Sequence, residues 1–555
     1  MATGSVLPLG DSFHVFDTTL RDGAQREGIT YSVADKLAVA TLLDELGVGF
    51  IEGGWPGAVP KDTEFFARAA DGELDLTTAT LVAFGATRKA GTKAADDPQV
   101  KALLDSRASV VTLVAKSDIR HVERALRTTA EENLAMVSDT VALLVGEGRR
   151  VFLDCEHFFD GYRFDRDYGV RVAQAAAEAG ASVIVLCDTN GGMLPSGVGR
   201  IVGEVLERTG LRLGIHCQND TDCAVANTIA AVEAGVTHVQ CTANGYGERP
   251  GNANLFSVVG NLVTKMDMPV LPEGRLTEMV RVSHAIAELA NLVPDTHQPY
   301  VGSVAFAHKA GLHASAIKVD PVMYNHIDPA VVGNDMRILI TEMAGRASVE
   351  LKAAELGVDL SARPDVVSQV VDTVKKREAD GWSYEAADAS FLLLLRSEIA
   401  RADGLIADDP SGDSRVGPRA AARPFTIESY RVIVEHNGSG GAKSEATVKV
   451  LVGGQRVIVT AEGNGPVNAL DSALRQAVVA HYPHLAGVEL SDYKVRILAG
   501  RAGTGSITRV LVTSADAASS WTTVGVHANV VEASFRALVD ALLYAAGLDR
   551  PAPSA

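Results

Sequence analysis

The sequence predicts an α/β fold, and three observations carry that prediction. Short apolar runs recur through the first half of the chain. Helical segments lie between them. Their polar residues collect at the ends of the runs: Asp17-Thr18-Thr19-Leu20-Arg21-Asp22-Gly23 closes the first and His216-Cys217-Gln218-Asn219-Asp220 closes a later one.

The runs are rich in β-branched residues and do not alternate cleanly, as expected for parallel strands buried on both faces. Eight are present: Phe13–Asp17, Gly49–Gly53, Asp75–Phe84, Ser109–Ala115, Arg150–Cys155, Ser182–Cys187, Arg212–His216 and Thr237–Cys241. Ser32 to Leu46 is the clearest helix, with Ser32 placed to cap its start and Gly47 to end it. Pro195 suits the first turn of the helix that runs to Gly210. Eight strand–helix units in about 250 residues match a complete (β/α)8 barrel, the TIM barrel. A doubly wound sheet requires a Gly-rich phosphate turn after the first strand, and none is there. Gly245-Tyr246-Gly247, Gly463 and Gly465 read as loop punctuation, because no strand–GxGxxG–helix context surrounds them.

The barrel is expected over residues 1–270, and mainly helical linker and lid subdomains over 271–406, with a Gly/Pro-rich stretch from Pro299 to Gly345. Residues 407–424, rich in Asp, Ser, Gly, Pro and Arg, read as a flexible linker. Residues 425–548 hold an internal repeat of three strand-like runs and one amphipathic helix, Thr426 to about Pro483 and Val488 to Gly547. Gly465-Pro466-Val467-Asn468 opens one helix and His527-Ala528-Asn529-Val530 the other. Two βββα units in tandem predict an α+β module. It lacks strand-end polar clusters, so it suits binding of an effector or a sister subunit better than chemistry. Residues 549–555 are expected to be a disordered tail.

The chain has 555 residues, 47% of them apolar and 22% charged, and a formal charge of −18. That balance argues against nucleic acid as a partner, since phosphate binding needs a basic face. Cys155, Cys187, Cys217, Cys223 and Cys241 form no Cys-x-x-Cys pair, so neither a zinc ribbon nor a redox motif is indicated, and few scattered cysteines fit a reducing cytoplasm. The N-terminal residues lack the layout of a signal peptide, and no apolar run is long enough to span a bilayer.

Strand residues two apart share a face, so His216 and Gln218 point the same way. With Asp22 and Asn252 they offer one nitrogen and three oxygens to a divalent metal ion. Oxygen donors suit Mg²⁺ or Mn²⁺, and the imidazole also admits Zn²⁺ or Co²⁺. The plainer alternative makes His216 a hydrogen-bonded core histidine and Asp22 a turn former; three further candidates at separate strand ends favour the metal. Arg21 is placed to hold oxyanion charge, or to pair with Glu52 or Glu156. Glu156 is a candidate base and Thr189 a donor to a carboxylate. His308, His313 and Tyr324 follow the barrel, where a His/Tyr pair can transfer protons.

Together these motifs resemble the family of metal-dependent barrel acyltransferases that includes the 2-isopropylmalate, homocitrate and citramalate synthases. The resemblance covers nearly the whole chain and is carried by Asp17 to Gln25, His216 to Asp220, Gly247-Glu248-Arg249-Pro250-Gly251-Asn252, His308 to His313 and the tandem βββα module. Within the family the citramalate synthase group is nearest, on Phe306 to His313, Tyr324-Asn325-His326-Ile327-Asp328-Pro329 and Val332-Gly333-Asn334. The resemblance implies a Claisen-type condensation of pyruvate with acetyl-CoA as co-substrate, giving (R)-citramalate for isoleucine biosynthesis. Asp22, His216, Gln218 and Asn252 would hold the metal; Arg21 would polarise the ketone; Thr189 would bind the carboxylate; His313, Tyr324 and Glu156 would move protons. It also implies a homodimer and a C-terminal regulatory domain with isoleucine as effector.

One departure is plain. The family has His-x-His where this chain has His216-Cys217-Gln218, which predicts Mg²⁺ or Mn²⁺ in preference to Zn²⁺. Asp222 replaces a common glycine nearby. The competing readings are a 2-isopropylmalate synthase acting on 2-oxoisovalerate, a lyase running the reverse cleavage, and a non-catalytic barrel serving an amino-acid sensor.

Overall fold

A computed structural model of the chain describes residues 10–405, 424–437, 441–498 and 505–547. Of the expected linker over 407–424 only Pro424 falls within them, and the expected tail over 549–555 lies outside them. The chain forms two compact units, Met1–Phe306 with Ile327–Asp335, and Ala307–His326 with Met336–Ala555.

The first unit is built on eight strands: β1 His14–Asp17, β2 Phe50–Gly54, β3 Thr80–Ala86, β4 Val110–Lys116, β5 Arg150–Glu156, β6 Val183–Asp188, β7 Leu213–Cys217 and β8 His238–Cys241. They close into a parallel barrel in sequence order, with β1 paired to β8. Each matches an expected strand within a few residues except at the start of β3. There the Asp44 carboxylate accepts the backbone N–H groups of Thr77, Thr78 and Ala79, which holds them in a capped loop ahead of the ladder.

Phe16, Phe50, Val82, Val110, Phe152, Val183 and Val185 fill the barrel interior, so it is a packed core and not a pore. His14 and His238 lie among them, their Nδ1 atoms 3.1 Å apart. The helix Val33–Leu46 starts on a reciprocal Ser32/Asp35 capping box and ends at Gly47 in the left-handed conformation. From this helix the buried Lys36 reaches the end of β2. Its Nζ donates to the Gly53 carbonyl at 2.8 Å and ion-pairs with Asp62. Asp62 Oδ2 accepts the Trp55 backbone N–H at 2.8 Å, and this clamp carries Trp55 into the barrel mouth.

In the second unit, helices Arg346–Glu355, Pro364–Ala379 and Asp388–Ala402 bury Val349, Val367, Val370, Phe391 and Leu395 together. Short strands β9 Ala307–His308 and β10 Arg337–Ile338 pair in parallel. The expected repeat follows. Strands β11 Phe425–Asn437, β12 Gly441–Val452 and β13 Gln455–Gly463 form one antiparallel sheet, and helix Pro466–Val479 follows it. Strands β14 Glu489–Ile497, β15 Thr508–Ala515 and β16 Ser520–His527 form the other, followed by Val530–Ala546. Asn529 caps that last helix by accepting the N–H groups of Val531 and Glu532. Among the described residues no helix is long and apolar enough to cross a membrane.

Candidate active site

One cavity of about 630 Å³ opens at the C-terminal ends of the barrel strands. Arg21, Asp22, Glu156, Thr189, His216 and Gln218 all line it. This is the face on which barrels of this architecture place their chemistry.

β1 stops at Asp17, and the chain turns before Arg21 and Asp22. Both side chains therefore enter the same cavity, although a continuing strand would have split them between faces. Arg21 Nε donates to Glu52 Oε2 at 2.7 Å and Nη1 to Asp22 Oδ2 at 2.8 Å, with the guanidinium 3.9 Å above the Phe84 ring. Of its two expected carboxylate partners, Glu52 is the one it meets. Glu156 ion-pairs with Lys116 instead, its other oxygen 3.8 Å from His157 Nε2.

Asp22 is the hub. Its Oδ1 accepts from Asn252 Nδ2 at 2.7 Å and Gln218 Nε2 at 3.4 Å, and His216 Nε2 lies 3.7 Å from its Oδ2. Gln218 and Asn252 face each other in an isolated antiparallel bridge, which brings Asn252 in from the loop after β8. Gly247 makes room there, since a Cβ on it would sit 2.2 Å from the Asn252 amide nitrogen. Three of the four expected metal-binding residues, His216, Gln218 and Asn252, are thus gathered around the fourth, Asp22.

Burial alone would raise the Asp22 pKa, but Arg21, His216 and the two amides outweigh it and hold the carboxyl below its usual range. Asp154, on β5 across the barrel, goes the other way. Burial, reinforced by the Glu52 charge, pushes it up to about 8. Asp22, Glu52 and Asp154 thus put three buried carboxyl groups around the Arg21 guanidinium. With Asp154 holding its proton, Asp22 and Glu52 still outnumber the one guanidinium, which favours a further cation. Gln218 Oε1 and Asn252 Oδ1 are buried without hydrogen-bond partners, a costly state for amide oxygens that coordination would relieve. The donor set fits a hard divalent ion. Among the described residues no three His, Cys, Asp or Glu side chains gather as a metal group, so a centre here depends on its two amides.

Thr189 Oγ1 accepts the His157 backbone N–H at 2.8 Å, which leaves its hydroxyl proton to donate elsewhere. His157 reaches that position with φ of 59°, in the left-handed region. In the second unit His313 and Tyr324 stack with ring centroids 4.1 Å apart, and His308 Nε2 lies 2.9 Å from Asn325 Oδ1. Sequence reasoning passed over Asp154, Gln240, Trp55, Phe84 and Lys116. Asp154 and Gln240 carried a signal, for each lies two residues from an inward-facing one: Asp154 from Phe152 and Gln240 from His238.

The HMGL-like family matches residues 12–286, the homocitrate synthase post-HMGL domain-like family residues 300–381, and the LeuA allosteric (dimerisation) domain residues 387–546. An (R)-citramalate synthase of Streptomyces coelicolor is 62% identical over 97% of each chain. One from Synechocystis is 45% identical over 96% of each. A probable 2-isopropylmalate synthase of Methanopyrus kandleri is more distant, at 32% over 95% of this chain and 97% of that one. A solved HMG-CoA lyase of Bacillus subtilis is similar over 52% of this chain and 96% of that one, at 19% identity and a TM-score of 0.43. The chain belongs to the family of metal-dependent barrel acyltransferases that contains the citramalate, 2-isopropylmalate and homocitrate synthases.

Proposed function

We propose that this chain is an (R)-citramalate synthase: pyruvate, acetyl-CoA and water give citramalate, CoA and a proton. The observation that carries the reading is the Asp22 hub, with Arg21 and Thr189 on the same cavity and 62% identity to a citramalate synthase over nearly the full length. Asp22, His216, Gln218 and Asn252 would hold a divalent ion, Mg²⁺ or Mn²⁺ before Zn²⁺ given the amide at 218. When bound, that ion supplies positive charge to offset the alkoxide formed as the carbon–carbon bond closes. Arg21, fixed by Glu52, Asp22 and Phe84, turns its remaining N–H groups to the ketone oxygen of pyruvate and stabilises charge developing there. Thr189 donates to the pyruvate carboxylate. Glu156 serves as a base toward the acetyl methyl group, and the family resemblance assigns proton transfer to His313 and Tyr324 as well. Thioester hydrolysis then frees CoA.

In this reading residues 1–270 form the catalytic domain, 271–406 the linker and lid subdomains, and 425–548 the module through which two chains dimerise and isoleucine acts, in the cytoplasm. A thiol-release assay with acetyl-CoA and a panel of 2-oxo acids tests it. Pyruvate-dependent release is expected, lost on stringent chelation and restored by Mn²⁺. Preference for 2-oxoisovalerate would move the chain to the 2-isopropylmalate synthases. Activity indifferent to chelation would remove the metal.

A further inference from the structure

A buried polar chain runs from the Nδ1 side of the His216 ring to Asp154, which also lines the cavity. His216 Nδ1 lies 2.8 Å from Gln240 Oε1, and Gln240 Nε2 donates to Asp154 Oδ1 at 2.9 Å. Gln240 on β8 lies directly opposite His216 on the neighbouring β7, and its amide reaches Asp154 on β5 across the barrel interior. Gln240 is 1% exposed and Asp154 3%. Polar groups so deep in a barrel are expensive unless each hydrogen bond is made.

The direction of this chain has a consequence for the imidazole. With the Gln240 amide nitrogen committed to Asp154, its carbonyl oxygen faces His216. An oxygen can only accept, so His216 Nδ1 carries the proton. In a neutral ring the other nitrogen, Nε2, then carries a lone pair, and Nε2 is the atom 3.7 Å from Asp22. The opposite orientation of the amide would put N–H against Nδ1 and a proton on Nε2, which no cation could replace without breaking the chain.

We propose that Gln240 and Asp154 are positioning residues that lock His216 in the tautomer whose Nε2 lone pair faces Asp22. They prepare the one imidazole of the cluster for a divalent ion, in a site whose other neutral donors are the amides of Gln218 and Asn252. This rests on the metal reading given above for Asp22, His216, Gln218 and Asn252. Outer partners of this kind commonly set metal affinity by about 10–100-fold.

The test uses the full chain, with Mn²⁺ as probe. Mn²⁺ affinity is measured by electron paramagnetic resonance, and the His216 tautomer by ¹⁵N chemical shifts of the metal-free protein. The variants are Gln240→Leu and Asp154→Asn. Wild type is expected to show a single Nδ1–H tautomer. Q240L is expected to show a mixture and to bind Mn²⁺ at least 10-fold more weakly. D154N, which lets the Gln240 amide face either way, is expected to fall between them. Should Q240L fail to fold, D154N decides alone. Wild-type affinity with an unchanged Nδ1–H tautomer in the folded variants would overturn the relay while leaving the metal site standing. A wild-type chain that binds no Mn²⁺ would overturn both.

Discussion

Gln218 and Asn252 meet across an isolated antiparallel bridge, and both amides donate to the same oxygen of Asp22, at 3.4 and 2.7 Å. Their own oxygens are left buried without partners. The amide at 218 thus keeps its place in the cluster through its bond to Asp22.

Replacing Gln218 by His should therefore change which ion is held rather than whether one is held. A second imidazole favours Zn²⁺ over Mg²⁺ and Mn²⁺. Elemental analysis of purified Gln218→His, with turnover after chelation and reloading, should show more retained zinc than wild type. An unchanged metal preference would separate position 218 from the coordination sphere.

Asp22→Ala removes the group on which Arg21, His216, Gln218 and Asn252 converge. Turnover should fall by about 10²–10³-fold or more. Arg21 keeps its Glu52 partner at 2.7 Å, so the far-ultraviolet circular dichroism should match wild type. Near-normal turnover would contradict the role given to Asp22.

Lys36 and Asp62 form a buried ion pair that ties the first barrel helix to the end of β2. Lys36→Met leaves the Asp62 carboxylate buried without its cation, a loss expected to cost about 3–5 kcal/mol. Urea unfolding should show it, and removing both charges in Lys36→Met/Asp62→Leu should cost less than the single change. Because Asp62 also accepts the Trp55 N–H, the indole fluorescence should shift in the double variant.

Acid should destabilise the barrel from its N-terminal end. Burial, aided by the Arg212 and Arg150 charges, depresses the His14 pKa to about 4, and His238 is likewise held well below its ordinary value. Between the ordinary pKa of about 6.5 and the native one, the unfolded chain binds a proton that the native chain does not, so stability falls with falling pH. Each histidine contributes up to about 1.4 kcal/mol per pH unit in that window. Asp154, with its pKa near 8, contributes a slope of the opposite sign, so the readout is a difference: between pH 6.5 and 4 the denaturant midpoint of His238→Asn should fall less than that of wild type. The same pH slope in wild type and His238→Asn would remove His238 from the acid response.

Much of this was legible in one dimension. Eight buried β-branched runs, the helix caps at Ser32 and Gly47, and the βββα repeat are local patterns that propensity and periodicity report directly. So was the membership of the Asp22 cluster, because polar residues at parallel strand ends converge by topology. The start of β3 was not, since Asp44, remote in sequence, captures the backbone that would have extended the strand. The Glu156 partner was not either, because which of Arg21 or Lys116 meets it depends on the stagger of β4 against β5, where Lys116 pairs with Glu156.

The sequence by itself determined the barrel, its following repeat and the residues that gather at the strand ends, because each follows from spacing along the chain. Only the tertiary structure decided how those residues are charged and aimed. Arg21 is steered by Glu52, His216 is backed by Gln240 and Asp154, and Asp22 stays ionised while Asp154 does not. Hydrogen bonds and desolvation act between strands far apart in sequence, and their balance exists only once the barrel has closed.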